Sequence, residues 1–125
     1  MKFRGKEVKV ILSKEAKQQY DELKLLVLKE QKQSIKGTFN QQLLKSIDNK
    51  IEYLKMNPLA GDHAQKPIPF NLVQKYGINN LWIIDLVGYW RILYTLKTSE
   101  VEIISLILEW MDHDKYNKTF GRKKK

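Results

Sequence analysis

The chain has 125 residues, with 23 basic against 14 acidic side chains, a net charge of +9 and no cysteine. This length supports one two-layer core, and the lack of thiols excludes disulfides, a zinc–thiolate centre and a cysteine nucleophile. The charge favours an anionic partner, nucleic acid or an acidic protein, and six basic residues crowd the last eleven positions (Lys115, Lys118, Arg122, Lys123, Lys124, Lys125).

No apolar run approaches the roughly 20 residues of a membrane helix. No apolar segment follows the basic N-terminus, so no secretory signal is expected, and the expected location is cytoplasmic. Residues 1–125 are read as one domain with a basic tail over 121–125.

In chain order, Glu7 to Ser13 alternates as a short strand. Ser13 is placed to cap a helix from Lys14 to near Gln33, with Ala16, Tyr20, Leu23 and Val27 on its apolar stripe. After a break at Ser34 to Gly37, with Ser34 or Thr38 as the cap, a second helix is predicted from about Phe39 to Met56. Leu43, Ile47, Ile51 and Leu54 form its stripe, and Asn57-Pro58 ends it, because proline disfavours helical backbone in the residue before it. Two helices on so short a link form an antiparallel hairpin.

Pro58 to Phe70 reads as a connection in which Pro67 and Pro69 rule out a central strand but permit an edge. Leu72 and Val73 fit a helical turn. Three strand patterns follow, at Leu81 to Leu86, Trp90 to Leu96 and Val101 to Leu108, the last apolar enough to be central. The expected fold class is α+β: an N-terminal strand, the helical hairpin, and an antiparallel meander completing a four-stranded sheet. A short helical or irregular tail comes last.

Few chemical constellations are present. There is no glycine-rich phosphate loop and no G-x-S-x-G elbow. Glu109, Asp112 and His113 would share a face if their segment were helical, but such hard-ligand clusters are common by chance, and acidic residues at a helix start are the ordinary reading. No metal or cofactor is expected. Arg91 stands among apolar neighbours on a predicted strand. It either pairs with a carboxylate, Asp85 being the obvious one, or faces a polar concavity and binds an anion. His113 and Tyr116 follow the central strand one helical turn apart. An imidazole there can transfer a proton and a tyrosine can stack on a base, or both simply pack against Trp110 and Phe120.

These residues meet a known pattern. Asn57-Pro58-x-x-Gly61, the link containing Lys66, Leu81-Trp82, the run Gly88-Tyr89-Trp90-Arg91-Ile92-Leu93-Tyr94 and the terminal His113-x-x-Tyr116 stand in the order found in the RelE/ParE superfamily of toxins. The chain resembles that superfamily over nearly its whole length.

The resemblance implies a RelE-like fold, a cognate antitoxin as partner and, for the ribonuclease branch, cleavage of messenger RNA on the ribosome by attack of the substrate's own 2′-hydroxyl. It implies that Arg91 binds the scissile phosphate, His113 is the general acid and Tyr116 stacks on or orients a nucleotide. Lys66 would add charge beside them, and Lys115, Lys118 and Arg122 are further candidates for RNA contact. The ParE branch keeps the fold and poisons DNA gyrase instead. The sequence departs from the ribonuclease pattern at Glu109 to Asp112, where basic residues are usual. No general base is evident among Asp85, Glu109 and Asp112. A non-catalytic basic RNA- or protein-binding module of the same fold is the remaining alternative.

Overall fold

Ser13 and Thr38 decide where the two long helices begin. In the computed structural model, which describes residues 2–65 and 67–121, each side-chain oxygen accepts from the backbone N–H three residues on. Such caps contribute about 1 kcal/mol each. They start α1 (Lys14–Lys32) and α2 (Phe39–Met56) at the expected residues.

The strands are β1 (Lys2–Phe3), β2 (Lys6–Leu12), β3 (Asp62–His63), β4 (Trp82–Asp85), β5 (Arg91–Thr98) and β6 (Glu102–Met111), and two short helices are α3 (Phe70–Tyr76) and α4 (His113–Thr119). One sheet holds all six strands in the order β1-β2-β6-β5-β4-β3. The anticipated four strands form its middle, with β6 central and parallel to β2. Two-residue strands extend both edges, β1 through a turn in which Arg4 and Gly5 both take positive φ, β3 within the proline-bearing link.

The hairpin covers one face, where Ala16, Leu23, Val27, Leu43, Ile47 and Leu54 meet Ile92, Tyr94, Ile107 and Trp110. The other face is covered by α3, α4 and the link, whose Leu72, Ile78, Leu81 and Tyr116 pack on Ile83, Leu93, Leu108 and Met111. Core thus lies on both sides of β5 and β6. The period-two pattern reports this as two apolar sets rather than one.

The Asn57–Gly61 turn and Tyr94 form one unit. The buried Tyr94 hydroxyl donates to the Pro58 carbonyl at 2.9 Å and accepts from the Gly61 N–H at 3.0 Å. A Cβ on Gly61 would lie 2.7 Å from both that hydroxyl and the Ile83 carbonyl oxygen. Burial pushes the phenol up to about 12, against the lowering effect of the Gly61 N–H. Tyr94→Phe strands two backbone groups and is expected to cost about 2 kcal/mol in a urea melt.

The strand end at Leu108 needs correction. β6 runs on to Met111, with a bulge: Leu93 opposes Glu109 and Tyr94 opposes Ile107, leaving Leu108 extra. The Gln19 side chain holds this extension by donating to the Trp110 carbonyl and accepting from its N–H. Glu109 is therefore a strand residue and Asp112 the N-cap of α4, so Glu109, Asp112 and His113 share no helix face. Among the described residues, no group of three or more His, Cys, Asp or Glu is placed to hold a metal ion. Also among them, no helix is long and apolar enough to cross a membrane.

Candidate functional site

Three strand ends converge at Arg91. It opens β5, pairs across the sheet with Asp85 at the end of β4, and pairs on its other side with Met111 at the end of β6. Asp112 then turns the chain by accepting from the Lys115 N–H at 2.8 Å, which starts α4 over the same corner. Strand register and one cap thus bring together residues far apart in the chain.

The Arg91 guanidinium is 22% exposed on its side chain, with Nε 3.5 Å from Asp85, whose side chain is 79% exposed. One Nη1 lies 3.3 Å from His113 Nδ1 and 3.5 Å from the Tyr89 carbonyl. The guanidinium carbon sits 4.3 Å from the centre of the Tyr116 ring. Arg91 therefore pairs with Asp85, the first of its two expected settings, and also reaches His113. An ion pair this exposed is worth at most about 1 kcal/mol, so an incoming anion can displace Asp85.

Guanidinium only donates, so His113 Nδ1 accepts and the imidazole proton sits on Nε2. Asn117 Nδ2 lies 3.1 Å from Nε2, and turning that amide so that its oxygen faces the ring provides the acceptor for the proton.

A cleft of about 400 Å³ opens beside this group, lined by Asp62, His63, Asp85, Arg91, Tyr116 and Phe120 among others. It is large enough for a phosphate with part of a sugar. The notable miss from sequence is Tyr89. This residue is 77% exposed, its ring lies 6.2 Å from that of His113, and its backbone has φ 63°.

The expected site residues divide. Arg91, His113 and Tyr116 are brought together. Tyr116, however, is buried, with Arg91 on its ring and Phe120 stacked at 4.4 Å. It supports the guanidinium rather than offering a face to a base. Lys115 gives its ammonium to Glu109 at 3.2 Å, and Lys118 is exposed in the last turn of α4. Lys66 and Arg122 lie outside the described residues.

Glu109, 5% exposed, is the hub that holds α4 down. It accepts from Tyr76 at 2.5 Å, and Lys75 reaches it from α3 at 3.4 Å. Burial pushes the Glu109 carboxyl up, but the Tyr76 and Lys115 hydrogen bonds with the two lysine charges outweigh it and hold the group below its ordinary value. Burial and the same carboxylate push the Tyr76 phenol far up, so it stays a donor.

No protein-family model matches the chain, and the comparison with curated proteins gave no match. Among solved structures, a YoeB/ParE toxin from Agrobacterium tumefaciens is similar, with 14% identity and a TM-score of 0.52 over 84% of this chain and 98% of that one. Almost all of that toxin thus has a counterpart in this chain, and the fold carrying the Arg91 corner is similar to that of the YoeB/ParE toxin.

Proposed function

We propose that the protein is the toxin of a type II toxin–antitoxin module, and that it acts as a metal-independent endoribonuclease on messenger RNA at the ribosome. A cognate antitoxin would be its protein partner. The observation that carries this reading is Arg91 set 3.3 Å from His113 beside a cleft with the exposed Asp85 opposite. The shared fold supports the toxin class.

In this reading the scissile phosphate takes Arg91 from Asp85, and the guanidinium stabilises charge that develops on the phosphate oxygens. The substrate's 2′-oxygen bonds to phosphorus, the bond to the 5′-oxygen breaks, and a 2′,3′-cyclic phosphate is left. Once Arg91 turns to the phosphate, His113 Nδ1 loses its donor and can take up a proton from solvent, which the resulting imidazolium gives to the departing 5′-oxygen. The 2′-hydroxyl proton needs a base. Of the three carboxylates considered, Glu109 is buried in its lock and Asp112 caps α4. Asp85, released from Arg91 and lining the cleft, is the carboxylate left to accept it.

Expression of the wild type is expected to arrest growth and to produce messenger fragments with 5′-hydroxyl ends. His113→Ala should lower single-turnover cleavage on programmed ribosomes by about 10²–10⁴-fold. Undiminished cleavage would remove His113 from the chemistry. Growth arrest with intact messenger and inhibited DNA supercoiling would establish a gyrase poison instead.

A further inference from the structure

We propose that Tyr89 is a base-stacking residue, taking the nucleobase next to the phosphate held by Arg91; this rests on the reading of the cleft as an RNA site. Three independent observations converge on the side chain. The residue is 77% exposed, beside an arginine and a histidine. Its backbone has φ 63°, a conformation that disfavours a bulky residue, and such outliers cluster at functional sites.

The third observation is that the turn is held rather than loose. Gly88 has φ 66°, and a Cβ there would lie 2.5 Å from the Phe39 ring. Ser46 of α2 accepts from the Val87 N–H at 3.1 Å, and the Leu86 N–H donates to the Trp90 carbonyl at 2.8 Å. Helix α2 therefore fixes a strained turn whose outcome is an aromatic ring projecting into solvent at the rim of the Arg91 corner.

The Tyr89 carbonyl receives Arg91 Nη1, so ring and cation are parts of one short segment. A phosphate on the cation brings its attached nucleoside to the ring. Tyr116, buried under Arg91 and Phe120, has no comparable exposed face. A stacking ring is sequence-tolerant, because every base has a π-face. A protein partner would also bury Tyr89, but the adjoining guanidinium and imidazole favour a nucleotide.

The test uses ribosomes programmed with a messenger carrying 2-aminopurine and a 2′-O-methyl group in the A-site codon, so that stacking quenches fluorescence and cleavage is blocked. Wild type and Tyr89→Phe should bind and quench alike. Tyr89→Gly, which suits the positive φ, should keep the melting temperature, lose the quench and bind about tenfold more weakly. An abasic codon should erase the difference between Tyr89→Gly and wild type.

Wild-type quench and affinity in Tyr89→Gly, with binding lost in Arg91→Ala, would overturn the stacking role and leave the phosphate role standing. No binding by the wild type would overturn both. Loss of antitoxin affinity in Tyr89→Gly without change on the ribosome would overturn the proposal in favour of a protein contact.

Discussion

Arg91→Lys is expected to lose about 10²–10³-fold in single-turnover RNA cleavage while unfolding within about 1 kcal/mol of the wild type. Charge is kept, so any loss reports geometry. A lysine ammonium is a point charge and lacks the planar fork that can meet two phosphate oxygens at once from over the Tyr116 ring. Strand register sets the guanidinium there, between Asp85 and Met111. Asp85→Asn separates binding from chemistry. Removing the exposed counter-charge frees Arg91 and should tighten the ground-state complex with programmed ribosomes. Loss of the base should slow cleavage by about 10²-fold or more. Tighter binding with unchanged cleavage would leave Asp85 as a counter-ion alone and reopen the search for a base.

Acid should loosen the α4 corner through Glu109. Its folded carboxyl titrates below its unfolded value of about 4.3, so ionisation there favours the folded state. That contribution is complete above about pH 4.3 and is lost as the pH falls through the lower folded value. Glu109→Gln should therefore cost about 2 kcal/mol near neutrality, roughly 7 °C in melting temperature, and progressively less as the pH falls below about 4. Melts across that range are the measurement. A constant difference down to pH 3 would assign the effect to packing instead. A glutamine amide oxygen can still accept from Tyr76, so the loss comes from the missing charge, which strengthens the hydrogen bonds from Tyr76 and Lys115 and attracts the partly exposed Lys75.

Glu109 also accounts for a departure seen in the sequence. Where basic residues were expected around the last strand, an acid gathers two lysines to fasten the helix carrying His113 and Tyr116. Lys115, anticipated as an RNA contact, is engaged in that fastening. The bulge makes it possible, because the extra Leu108 leaves Glu109 opposite Leu93, facing α3 and α4.

The sequence by itself determined the elements whose signals are local. Ser13, Thr38 and Asn57-Pro58 mark helix ends through hydrogen bonds and sterics within a few residues, and apolar periodicity marks both helices and the three meander strands. It also singled out Arg91 and His113, since an arginine in an apolar strand and one of only two histidines stand out by chemical type. Only the tertiary structure decided how those groups are used. That Tyr116 is covered while Tyr89 is exposed depends on α4 folding back over β5 and on α2 holding the Gly88 turn, contacts across 25 and 49 positions for the pairs Arg91–Tyr116 and Phe39–Gly88. Two-residue edge strands, a one-residue bulge and a carboxylate shared by α3 and α4 leave no periodic trace. Each is fixed by partners distant in sequence, and a pattern read along the chain registers near neighbours only.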